Sequence, residues 1–209
     1  MNEPAPVRRF GLFGGSFDPV HSGHLIIAQD AAEKLELDQV VFIPAAIPPH
    51  KQHLQQASAE HRLNMLKLAL KSDRRFFVSD VEISRGGVSY FVDTVSSMKR
   101  DMPAAELFLI VGSDTLVDLH NWYRIDEIMK YCEITSFLRP GEDDIKSIKQ
   151  KVALTDPLRQ RVLANTFESH MVGISSSEIR MRIAEGLGIR YLVSAEVEQY
   201  IFEHGLYQG

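Results

Sequence analysis

Cysteine is nearly absent from this sequence of 209 residues: Cys132 stands alone, so no internal disulfide staples the fold. Basic charge is in deficit too, with 23 Lys and Arg against 28 Asp and Glu, a formal net charge of −5 and a pI near 5.9. That balance argues against a large phosphate-coating surface, so nucleic acid is not an expected partner, although a small anion site fits inside an acidic protein. No apolar run approaches the ~20 residues that cross a bilayer, so no membrane partner is expected. The start MNEPAPVRRF lacks the apolar core of a secretion signal, which makes the cytoplasm the expected compartment. Repeats, low-complexity tracts and Pro/Ser/Gly-rich linkers are missing as well, and residues 1–209 read as a single domain. A chain of this size buries roughly 70% of its unfolded surface, so its stability calls for neither metal nor disulfide.

What is present is an alternation of short apolar runs with longer stretches of helical periodicity, the mark of βα units around a parallel sheet. Six strands are expected: Arg9–Phe13, Gln39–Ala45, Phe76–Ile83, Leu107–Gly112, Glu133–Leu138 and His170–Ile174. Several are unpatterned apolar runs, as strands buried on both faces are. Helices are expected over Gly23–Leu35, Ala59–Lys71, Tyr90–Arg100 and Tyr123–Tyr131. Ser175 and Glu178 form an S-x-x-E signature for a helix ending before Gly186, and Ser194 is placed to cap a last helix stopped by Gly205. The fold class is α/β, a doubly wound, Rossmann-like parallel sheet with a small C-terminal helical appendage. Two loops are longer than connectivity requires, IPAAIPPHKQHLQQAS and RPGEDDIKSIKQK.

The chemistry concentrates in GGSFDPVHSGH, Gly14 to His24, directly after the first strand. Gly14 and Gly15 let backbone approach a ligand closely. Ser22 is read as the cap of the following helix, with His24 in its first turn, where unpaired N–H groups and the helix dipole favour an anion. His21 and His24 would add side-chain donors, an arrangement suited to phosphoryl or nucleotidyl transfer, in which the protein positions reactants and stabilises charge. Plainer readings stand beside this one: Gly-Gly-Ser is also an ordinary turn, and a histidine on a helix is often structural. A metal site on His21 and His24 lacks a third ligand at recognisable spacing, and neither G-x-x-x-x-G-K nor G-x-G-x-x-G occurs.

Taken together, G-x-F-D-P-x-H-x-G-H resembles the signature of the nucleotidylyltransferase superfamily, whose H-x-G-H element is shared with class I aminoacyl-tRNA synthetases. From about residue 10 to 207 the chain resembles the bacterial nicotinate-mononucleotide adenylyltransferases in particular. PPHK at Pro48–Lys51, SRGGVSYFVDT at Ser84–Thr94, GSDTLVDLHNWYRIDEI at Gly112–Ile128, RPG at Arg139–Gly141 and ISSSEIR at Ile174–Arg180 carry that resemblance in order.

The resemblance implies attack of the 5′-phosphate of nicotinate mononucleotide on the α-phosphorus of ATP, giving deamido-NAD and pyrophosphate, with Mg²⁺ carried on the ATP phosphates. ATP would be met by Gly14, Gly15, Ser16, Phe17, His21 and His24, by Gly112 and Asp114, and by Ile174, Ser176, Ser177 and Arg180. His24, with His21, is the expected catalytic donor. Mononucleotide contacts would come from Lys51, Tyr90, Phe91, Thr94, Trp122, Tyr123 and Arg139.

Several of these have plainer alternatives: Ser176 on a capped surface helix, Trp122 in the core, Arg139 in a turn. The family often has a hydroxyl residue where Phe91 stands, which leaves backbone N–H groups near Tyr90 and Tyr123 to receive the carboxylate. Rival readings are an adenylyltransferase for nicotinamide mononucleotide or pantetheine phosphate, and a noncatalytic nucleotide-binding regulator. A homo-oligomer is compatible with the sequence, which carries no signal for its order.

Overall fold

The computed structural model describes residues 7–49, 56–138, 145–170 and 172–208. Its strands are β1 (Arg9–Gly15), β2 (Gln39–Pro44), β3 (Phe76–Val78), β4 (Glu106–Gly112), β5 (Glu133–Leu138) and β6 (Thr166–Glu168). They form one parallel sheet in the order β3-β2-β1-β4-β5-β6. The helices are α1 (Ser22–Lys34), α2 (Ala59–Leu70), α3 (Val81–Arg85), α4 (Phe91–Asp101), α5 (Ser113–Asp118), α6 (Ile125–Tyr131), α7 (Ile145–Lys151), α8 (Asp156–Ala164), α9 (Ser176–Ala184) and α10 (Ala195–Glu203). A 3-10 turn, Leu119–Asn121, links α5 to the segment before α6. Among the described residues, no helix is long and apolar enough to cross a membrane.

Two buried clusters explain why the central strands read as continuous apolar runs. In β4, Leu107, Leu109 and Val111 face one cluster, with α4, α5, α6, α7 and α8 supplying residues such as Val92, Leu116, Ile128, Ile148 and Val162. Phe108 and Ile110 face the other, where α1, α2, α9 and α10 bring Ala28, Met65, Ile179 and Val197. Both faces are covered, the condition under which a parallel sheet is stable. The C-terminal pair of helices thus seals the same core as α1 and α2, through Ile179, Ile183, Val197 and Ile201.

Several boundaries differ from expectation for local reasons. β3 stops at Val78: the Ser79 N–H still reaches Phe42 O, but Asp80 then opens α3, which takes Ile83 out of the strand. The sixth strand is Thr166–Glu168, not His170–Ile174. The His170 N–H and Nδ1 instead meet the buried Asp30 carboxylate at 3.0 and 2.7 Å, which pins this segment to α1. Part of the second long loop is α7. The helix expected from Tyr123 begins at Ile125, behind Arg124 in the left-handed region at φ 58°.

One feature of the register places the site. β1 pairs with β4 only as far as Leu12 opposite Leu109, whereas β1 continues beside β2 to Gly15 opposite Pro44 and β4 continues beside β5 to Gly112 opposite Phe137. The sheet therefore splits between β1 and β4 at its carboxyl edge. This is the point where strand order reverses, and in doubly wound sheets that crevice is where ligands bind.

Candidate active site

The β1–α1 connection forms one wall of the crevice. Phe17 adopts φ 50°, a left-handed conformation that costs a side-chain-bearing residue of order 1–3 kcal/mol unless its surroundings hold it. They do: Phe17 is buried, with ring centroids 5.6 Å from Phe13, 5.6 Å from Phe42 and 5.0 Å from His24. A Cβ on Gly15 would lie 3.0 Å from the Phe17 ring, so glycine there serves this turn as much as any ligand. Helix α1 begins at Ser22 and its cap position is His21, one residue earlier than expected. The His21 N–H donates to Nδ1 of His24 at 3.2 Å, and the two rings lie 3.7 Å apart at 30°. With Nδ1 accepting, the ring proton of His24 belongs on Nε2, which makes that nitrogen the donor.

The ISSSEIR segment forms the second wall. The Ser175 hydroxyl accepts the Glu178 N–H at 3.1 Å and caps α9, as its spacing led one to expect. The Ser176 hydroxyl donates to Pro19 O at 2.9 Å, and Arg180 donates from Nη1 to Asp18 O at 2.7 Å. Both side chains thus dock α9 on the histidine loop. Since the Ser176 proton is given to Pro19, any phosphate contact at Ser176 falls to its backbone N–H. Ser177 is exposed and accepts from Arg180 Nη2 at 3.2 Å, while Ile174 packs on the core.

Across the split, Gly112 caps α5 and a Cβ there would meet nothing within 4 Å, so the space above β4 is open. Asp114 is exposed in the first turn of α5. Trp122 is half-buried, with its ring 6.0 Å from Phe91. The Phe91 ring lies within 3.6 Å of a Cβ built on Gly14, so a line of contact runs from the β1 glycine to the tryptophan. Tyr90 and Tyr123 are exposed, with rings 4.8 Å apart.

Two expectations change here. Thr94 is fully buried and donates to Glu82 Oε1 at 2.7 Å while accepting from Arg85, so it stiffens the wall and offers no hydroxyl to a ligand. Tyr123 is not at a helix start, since α6 begins at Ile125 behind the left-handed Arg124, so of the two expected helix starts α4 at Phe91 remains beside Tyr90; acidic residues stand in both first turns, Asp93 in α4 and Asp126 and Glu127 in α6. Lys51 and Arg139 lie outside the described residues. Among the described residues, no group of three or more His, Cys, Asp and Glu side chains could hold a metal ion.

Sequence reasoning missed the groups behind these walls. Arg62, within EHRLNML, is 1% exposed and donates to the carbonyls of Ser16, Ala45, Ala46 and Ala57. Burial lowers its affinity for the proton, and the nearby Asp18 and Tyr207 oxygens oppose that loss. The Asp18 carboxylate, itself buried, accepts from the Tyr207 hydroxyl at 2.6 Å and the Ala57 N–H at 3.2 Å. Burial and the neighbouring carboxylate push the Tyr207 hydroxyl well above its ordinary range, so it stays protonated and donating.

A split parallel sheet with a histidine-bearing helix start at its switch point defines a Rossmann-like nucleotide-binding protein. The chain belongs to the cytidylyltransferase-like family, whose model matches residues 12–182. It is 40% identical over 208 residues to the Synechococcus sp. protein named "Probable nicotinate-nucleotide adenylyltransferase", with 99% of each chain covered. A Thermus thermophilus protein of the same name is 44% identical over 200 residues, covering 96% of this chain and 100% of that one. In fold, the chain is similar to Plasmodium falciparum nicotinic acid mononucleotide adenylyltransferase complexed with NaAD. The TM-score is 0.75 at 17% identity, over 96% of this chain and 97% of that one.

Proposed function

We infer that the protein is a nicotinate-nucleotide adenylyltransferase: it transfers the adenylyl group of ATP to nicotinate mononucleotide, forming deamido-NAD and pyrophosphate. The observation that carries this reading is the split of the sheet between β1 and β4, lined on one side by the H-x-G-H helix start and closed by α9. Near-full-length relatives bearing that activity in their names support it.

In the transfer, a 5′-phosphate oxygen of the mononucleotide forms a bond to the α-phosphorus of ATP. The bond from that phosphorus to the bridging oxygen breaks, and pyrophosphate leaves with the electron pair. No side chain need become covalently attached. His24 donates from Nε2 to the α-phosphoryl oxygens as negative charge gathers on them, and His21 holds the ring that donates. Backbone at Gly14, Gly15, Ser16 and Phe17 lines the nucleotide. The first-turn N–H groups of α9 at Ser176 and Ser177, with the guanidinium of Arg180, take the β- and γ-phosphates. Gly112 leaves room for the sugar, and Asp114 serves its hydroxyls or the metal's water shell.

Mg²⁺ suits this donor set, because it is commonly held by phosphate oxygens, waters and one or two carboxylates, and Asp114 supplies an exposed one. When bound, it neutralises charge on the leaving pyrophosphate. Trp122 offers the flat face for the pyridine ring, flanked by Tyr90 and Tyr123. The N-terminus of α4 at Phe91 receives the carboxylate through backbone N–H groups, since the buried Phe91 ring has nothing polar to offer. Lys51 and Arg139 are assigned to the mononucleotide phosphate. A free, buried thiol at Cys132 and the acidic net charge suit a cytoplasmic protein.

The test is direct. The protein is incubated with ATP, Mg²⁺ and either nicotinate or nicotinamide mononucleotide, and pyrophosphate is measured. Faster release with nicotinate is expected, and no release with either acceptor rejects the reading.

A further inference from the structure

We propose that Arg62 is a positioning residue for this reaction, a single buried guanidinium that sets the spacing between the ATP loop and the loop carrying the acceptor side of the crevice. The proposal rests on the adenylyl-transfer reading above.

Among the described residues, the hydrogen bonds of Arg62 all go to main chain, in segments far apart in sequence. Nη1 donates to Ser16 O at 2.8 Å, Nη2 to Ala45 O at 2.7 Å and Ala46 O at 3.1 Å, and Nε to Ala57 O at 3.1 Å. Ser16 precedes the left-handed Phe17 in the loop that would hold ATP. Ala46 belongs to the loop leaving β2, and that loop is tied to the acceptor wall: Ala46 N–H donates to Ser89 Oγ at 2.9 Å and Ser89 N–H to Ile47 O at 3.0 Å. Ser89 directly precedes Tyr90 and α4. One side chain therefore bridges the supports of both substrates. The link extends through Ala57, whose N–H meets Asp18, to Tyr207 and Arg180.

Part of this duty is structural, because an apolar side chain of similar volume would leave the carbonyls of Ser16, Ala45, Ala46 and Ala57 without this donor. What the planar fork supplies is geometry: donors pointing in several fixed directions, which a lysine ammonium on its flexible stem does not reproduce. A transfer that depends on positioning is sensitive to such geometry, since a displacement of about 1 Å can cost on the order of 100-fold in rate.

The experiment compares wild type with R62K. For R62K at saturating substrates, kcat is expected to fall about 100-fold while the Kd for ATP alone, measured by calorimetry, changes by less than about 3-fold. A folded R62K with kcat within about 2-fold of wild type, or a change confined to KM, overturns the proposal.

Should R62K fail to fold, the wild-type protein still decides by NMR hydrogen exchange. The Arg62 Nε–H, the Ala45 amide, which bonds Gly15 O, and the Ala46 amide, which bonds Ser89 Oγ, should then share one opening rate. Independent opening of the two loops overturns the coupling. A wild-type protein that releases no pyrophosphate with either mononucleotide rejects the transfer reading instead, and the exchange experiment then judges the coupling by itself.

Discussion

His24 occupies the third position of α1, and its two nitrogens have separate duties. Nδ1 closes the helix start by accepting the His21 N–H, and Nε2 carries the ring proton that the proposed transfer uses. H24A should lower kcat by roughly 10²- to 10³-fold, the usual loss when one preorganised donor to a developing oxyanion is removed. It should also cost about 1 kcal/mol of stability for the lost cap interaction. Steady-state kinetics beside a thermal melt separates the two, and an effect confined to ATP affinity would make His24 a binding residue only. Glu82 allows a different test. Burial raises its carboxyl above the ordinary value of 4.5, so the folded protein holds that proton more tightly than the unfolded chain does. Stability from this group is therefore greatest at low pH and falls as pH rises from about 4.5 through the raised value. E82Q keeps an acceptor for Thr94 and does not titrate, so its Tm relative to wild type should climb across that window. A difference that stays flat with pH would show that Glu82 does not titrate as its burial requires. Neither Glu82 nor Arg62 was legible as special in the sequence. Each sits on a helix among other charged residues, and only distant segments folding over them make them buried.

At the scale of the element, the helices that matter are governed by their first turns. Ser175 and Ser194 each accept the N–H three residues on, capping α9 and α10. S175A and S194A should each cost about 1 kcal/mol. In a chain of this size that lowers Tm by roughly 2–4 °C. Only S175A should also raise the KM for ATP, because α9 carries Ser176 and Arg180; equal kinetic effects from the two would remove α9 from the ATP site. These caps were readable beforehand because they are local: the serine and the N–H it serves lie within one turn. Gly186 and Gly205, read as helix stops, take φ 70° and 59° for the same local reason. The cap of α1 was not readable, since Ser22 looks the better residue. The exchange between His21 and His24 moves the boundary by one position, and the Ser22 N–H bonds to Leu192 O at 2.9 Å. β6 escaped for a related reason: His170, just after it, is held by Asp30 on α1, and no local pattern announces that bond.

For the whole molecule, α9 and α10 share a buried cluster with α1, α2 and one face of the sheet, so the C-terminal helices should unfold with the rest. Calorimetry should show one transition, and ATP with Mg²⁺ at about 100 times its Kd should stabilise the fold by about 2.7 kcal/mol. That raises Tm by several degrees; a separate early transition insensitive to ATP would mean that the C-terminal helices are not part of the ATP-binding unit. The sequence by itself determined the α/β class, the succession of most strands and helices, and the phosphate-seeking histidine motif. All of these follow from periodicities and caps that act within a few residues, or from a motif whose members lie side by side. Tertiary structure alone decided where the sheet opens, which way the Ser176 proton points, that Thr94 supports a wall, and that Arg62 reaches carbonyls of three segments. Those outcomes depend on contacts between residues far apart in the chain, and burial makes an arginine or a glutamate consequential only once such contacts have removed it from water.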